Sequence, residues 1–186
     1  MLPDRESRRA AAYENAPLED LLTVVLRQWK RPLAAHQLQF TDAEAAEMAA
    51  AIVRREPDPR LPALSTALQS LVAESEALLA SWNLTFAQSL DAEMSAISGW
   101  ESTAEFLEVA EQKTNAELRI STGAALLVAM GEKAYAPFLA ALAERGVIDL
   151  DGAIARRVLL FASGVDSNNS DWLEAVRKWI NCSSIR

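Results

Sequence analysis

Residues 102–146 read STAEFLEVAEQKTNAELRISTGAALLVAMGEKAYAPFLAALAERG. Ser102 and Glu105 stand three apart, as do Thr114 and Glu117. In each pair the hydroxyl and the carboxylate can reciprocally satisfy the free amides at a helix start. Gly131 and Gly146 are residues that end helices, because glycine adopts the left-handed conformation without steric cost. The spacing predicts three helices: from Ser102 to near Gln112, from Thr114 to Gly131, and from Lys133 to Arg145. Connections this short make successive helices antiparallel.

The same grammar extends toward the N-terminus. Pro17 suits a first helical position, and Leu18, Leu21, Leu22, Val25, Leu26 and Trp29 recur at three- and four-residue spacing on one face. That helix is expected to reach Lys30 and to stop at Pro32. A short apolar segment, Leu33 to Phe40, leads to a further capping box, Thr41 with Glu44, and a helix to Arg55. Glu56-Pro57-Asp58-Pro59-Arg60 breaks the chain. Pro62 opens a long helix to Ser81, and another is expected from Leu84 to Ile97. Beyond Gly146, Asp149 and Ser170 are placed to cap two last helices, ending at Gly164 and near Asn181. The domain reading is a charged arm at 1–14, N-terminal helices at 15–56 packing as a cap, a linker at 57–60, and a helical array at 61–186, together one compact unit.

Composition agrees. Of 186 residues, 35 are Ala and 25 Leu, the leading helix formers, while Gly and Pro number 6 and 7. The expected fold is all-α, about eight helices in an antiparallel bundle or short solenoid. The 18 basic and 26 acidic residues are unevenly spread. Residues 61–112 hold 8 acids and no Lys or Arg, so the net charge of −8 sits in that stretch. A pI near 4.8 weighs against nucleic acid and anionic membrane surfaces, both of which attract basic faces. One cysteine, Cys182, allows no internal disulfide, and no apolar signal core opens the sequence; a cytoplasmic protein is expected.

A period runs through the C-terminal half. Gly99 is followed by Ala104, Phe106 and Leu107, and Gly131, 32 residues on, by Ala136, Phe138 and Leu139. Gly164 is followed by Trp172 and Leu173. With Asn115-Ala116-Glu117-Leu118-Arg119, Ala124-Ala125-Leu126, Gly131 and Ala136-Pro137-Phe138-Leu139 with Leu142, the chain resembles a HEAT-like helical repeat. The resemblance covers about residues 115–142, with degenerate neighbours at 99–112 and 149–181. It implies stacked helix pairs and the protein-binding scaffolds such arrays serve as; some bacterial members attach or detach bilin chromophores. An ordinary helical hairpin within a bundle would carry the same residues.

Catalytic constellations are missing from the sequence. The only histidine, His36, cannot supply a two-histidine metal site, and it is too remote in sequence to mark Cys182 as an activated nucleophile. Gly131-Glu132-Lys133 lacks the glycine spacing and the following Ser or Thr of a phosphate loop. No cofactor or metal is expected. What remains is acidic: Glu101, Glu105, Glu108 and Glu111 recur at helical spacing, with Phe106, Leu107 and Ala110 assigned to the opposite face. Arg119, Arg156 and Arg157 are the cations that could relieve this stripe from within. Trp100, just ahead of it, is the tryptophan best placed to join a contact.

The expectation is a non-enzymatic interaction module whose face at Trp100, Glu101, Glu105, Glu108 and Glu111 meets a basic protein partner, with homodimerisation left open. The alternative is a helical bundle binding a small apolar ligand or chromophore, given room by its many alanines.

Overall fold

A computed structural model describes residues 12, 15–97 and 101–145, together with 157, 158, 161 and 174. Among these residues the protein is all-α, with seven helices and no strand. They are α1 (Leu18–Gln28), α2 (Lys30–Ala35), α3 (Asp42–Arg54), α4 (Leu61–Ser81), α5 (Phe86–Asp91), α6 (Thr103–Ala129) and α7 (Ala136–Glu144). Single 3-10 turns at Met94–Ala96 and Lys133–Tyr135 precede α6 and α7. Helices expected from Asp149 and Ser170, and most of the 1–14 arm, lie outside the described residues.

The helices pack antiparallel: α4 lies along α6, α1 along α3, and α2 reaches across to α4. The apolar face read from α1 is buried at Leu21, Leu22, Val25 and Leu26. Opposite it, α3 contributes Ala45, Met48, Ala49 and Ile52. Leu64, Leu68, Leu71, Val72 and Leu79 of α4 meet the second half of α6, in which every residue from Ile120 to Ala129 is buried. A helix apolar on all sides needs neighbours on all sides; α4, α5 and α7 supply them here. Each fully buried leucine contributes roughly 1.5–3 kcal/mol of transfer free energy. At the α4–α6 crossing the backbones come close, and a Cβ placed on Gly123 would sit 2.7 Å from Val72 Cγ2.

Three boundaries differ from expectation. Thr114 and Glu117 do not start a helix, for α6 runs unbroken over 27 residues. Nothing between Ala104 and Ser121 is Gly or Pro, so opening a cap there would give up backbone hydrogen bonds. Glu117 instead takes the Lys113 ammonium at 2.6 Å, four residues back. Pro32 does not stop α1. Trp29 closes α1, and Pro32 falls in the first turn of α2, where a missing amide costs nothing. The helix expected from Leu84 to Ile97 shrinks to α5, begun by a capping box of Thr85 with Gln88 and ended where Ala92 turns extended.

Helices α2, α3, α4 and α6 end in one way. Gln37, Arg55, Asn83 and Gly131 each take positive φ, and the next amide donates back to the carbonyl five residues earlier. Only Gly131 is glycine; the other three side chains bear the left-handed strain.

Candidate functional site

The predicted acidic face occupies the start of α6. Ser102 Oγ accepts from the Glu105 amide at 3.2 Å, and Glu105 Oε2 accepts from the Ser102 amide at 3.1 Å and from that of Glu101. Glu105 is therefore a helix cap as well as a member of the stripe. Glu108 accepts from Gln112 Nε2 at 3.2 Å. Glu101 and Glu111 are exposed. Trp100 lies outside the described residues.

From Thr103 to Asn115, about 20 Å of helix at 1.5 Å per residue, no residue is buried. Phe106, Val109 and Ala110 are partly covered. Leu107 is 61% exposed and Leu118 36%, the two exposed large apolar side chains among the described residues. This corrects the expected division of the helix. Leu107 was assigned to the face opposite the acids, but it stands outward beside Glu108 and Glu111. Leu107, Glu111, Thr114 and Leu118 follow at 4-, 3- and 4-residue steps along one line, with Glu108 on its flank.

Expected internal relief for these acids is also redistributed. Arg157 donates to the Ala16 carbonyl at the start of α1. Arg119 lines a groove of about 210 Å³ with Glu74, Gln112 and Asn115, and Arg156 lies outside the described residues. Among the described residues no Lys or Arg forms an ion pair with Glu101, Glu105, Glu108 or Glu111.

Several acids elsewhere are partnered. Arg60 gathers Asp58 at 2.6 Å, Glu47 at 2.9 Å and Glu44 at 3.7 Å, tying the proline-containing turn to α3. The Arg60 hydrogen bond holds Asp58 below the ordinary carboxylate value. Lys30 does the same for Asp42. Arg145 grips Asp91 through Nε and Nη2 and lowers it likewise. His36 Nε2 lies 3.3 Å from Glu74. No group of three or more His, Cys, Asp or Glu among the described residues is arranged to hold a metal, and no helix there is long and apolar enough to cross a membrane.

Two larger hollows were not read from the sequence. One, of about 530 Å³, lies where α3 and α6 end and α4 begins, between Ile52, Arg55, Leu61, Met130 and Lys133. The Arg55 guanidinium lies 5.5 Å from the centre of the Phe161 ring, which brings that side chain near this hollow. The other, of about 380 Å³, opens between α4, α5 and α7 and is lined by Glu76, Ala80, Leu84, Phe86, Pro137 and Phe138 among others. Phe86 and Phe138 meet edge-to-face there, 5.6 Å between ring centres. Phe138 of the periodic pattern, with the adjoining Pro137, thus belongs to a cleft wall as well as to a helix start.

Comparison of the chain with protein-family models, with curated proteins and with solved structures finds no match.

Proposed function

We propose that the protein is a non-enzymatic interaction module that binds a basic amphipathic helix along the outward face of α6, between Leu107 and Leu118. The observation carrying this reading is the state of the first half of α6: a helix start with no buried residue, an outward leucine at 61% exposure, and acids without a cation among the described residues. Eleven residues separate the two leucines, about 16 Å or three turns, which suits a partner helix with two apolar anchors and Lys or Arg between them. The helix-pair reading, in which the second half of α6 and α7 form one HEAT-like unit, supports a scaffold role in a cytoplasmic setting.

The reading is tested by placing a photoreactive benzophenone side chain at position 107 and irradiating the native cell. The expected result is a discrete adduct whose cross-linked peptide is rich in Lys and Arg, lost when Glu108→Lys and Glu111→Lys are combined. Adducts that persist through that double charge reversal, or none at all, would overturn it.

A further inference from the structure

We propose that the cleft between α4, α5 and α7 is a binding site for a small cationic amphiphile: an apolar, preferably aromatic, body lying against Pro137 and Phe138, with a protonated amine at Glu76. The site shares no residue with the α6 face, so either reading can fail without the other.

The cleft, about 380 Å³, falls within the range of small-ligand pockets. Its walls are mostly alanine, leucine, proline and phenylalanine, and among the described residues Glu76 is the one charged side chain lining it. Phe86, itself buried, packs edge-to-face on Phe138 at 68° and so holds the half-buried Phe138 ring as a wall of the cleft. Tyr135 stacks on Phe138 at 6.1 Å and extends the aromatic wall.

The charge of the guest follows from what surrounds the carboxylate. Glu76 is exposed on the rim of the cleft and has no hydrogen bond or ion pair with another described residue; the protein around it removes some of its water and pushes its carboxyl upward. Two cations stand four positions from the α7 wall: Arg145 is engaged by both oxygens of Asp91, and Lys133 lines the other hollow. Tyr135 is pushed up first by burial and then by Glu132 and Glu76, which marks the local field as negative. An anionic guest would meet that field unfavourably. A neutral guest would gain nothing from the carboxylate's charge, whereas an ammonium would pair with it and donate hydrogen bonds to it.

The test uses the full chain and three probes of matched shape: 4-phenylbutylammonium, 4-phenylbutanol and 4-phenylbutanoate, titrated by calorimetry at neutral pH. The ammonium is expected to bind with a Kd on the order of 1 mM or tighter, as its small size dictates. It should bind about fivefold to tenfold more tightly than the alcohol, with the carboxylate weakest. Glu76→Gln should bring the ammonium down to the alcohol and leave the alcohol unchanged. Ala80→Trp, on the exposed rim of α4, should fill the cleft and weaken both. Circular dichroism melts of both variants should match the parent. Equal binding of ammonium and alcohol, preference for the carboxylate, indifference of the ammonium to Glu76→Gln, or no heat with about 10 mM ammonium would each overturn the proposal.

Discussion

The two halves of α6 share one backbone and one set of hydrogen bonds but sit in different solvents. From Ile120 onward the helix is enclosed by α4, α5 and α7; up to Asn115 it carries no buried residue at all. The acids divide along a similar line. Those near the proline-containing turn converge on Arg60, while those at the start of α6 meet, among the described residues, only backbone amides and a glutamine. The lesson is that continuity of secondary structure is no guide to continuity of packing. One half of α6 contributes to stability and the other presents a surface.

The largest test of that contrast is Leu127→Ala. Leu127 is fully buried, and the loss of its side chain should destabilise the protein by about 2–5 kcal/mol, read as a drop in the urea midpoint. Next comes Arg60→Ala, which should cost about 1 kcal/mol near neutral pH once solvent screening is allowed for. Its pH dependence has a definite sign. Asp58 is depressed below its ordinary 3.8 by the Arg60 hydrogen bond, so the stabilisation is present above about pH 4 and lost as pH falls through the depressed value. The gap in melting temperature between parent and Arg60→Ala should therefore narrow from pH 5 to pH 3. A constant gap would mean that the turn is held by packing rather than charge.

The smallest effect is expected at Leu107→Ser, within about 0.5 kcal/mol of the parent despite the removal of a large apolar side chain. A loss approaching that of Leu127→Ala would show that the first half of α6 is covered in solution, and the contrast would collapse.

Much of the architecture was legible because it is written locally. Thr41 with Glu44 and Ser102 with Glu105 form the reciprocal caps their spacing implies. The α1 stripe at Leu21, Leu22, Val25 and Leu26 is buried as its period predicts. Where the reading failed, a local signal competed with a cooperative one. Thr114 and Glu117 have the residues of a cap, but the uninterrupted run of helix formers around them outweighs it. The ends of α3 and α4 were placed to within a residue, but the left-handed stops at Gln37 and Arg55 were not legible, because neither residue type favours that conformation as glycine or asparagine does. The acidic stripe was legible as a period, but Leu107 was put on the wrong side of it. Helical position says which residues are neighbours, and only tertiary packing says which neighbours are covered. The cleft at Glu76 joins residues some sixty positions apart, from three helices, and no spacing rule reaches that far.

Gly123 has a consequence for how this chain can vary. With only 2.7 Å between a Cβ at 123 and the Val72 methyl, the two positions draw on one small volume at the α4–α6 crossing. Val72 is itself buried and has little room to retreat. Positions 72 and 123 therefore form a coupled pair: bulk added at one is tolerated when bulk is removed at the other. Sequences descended from this one should carry that coupling as a joint change, legible without any structure.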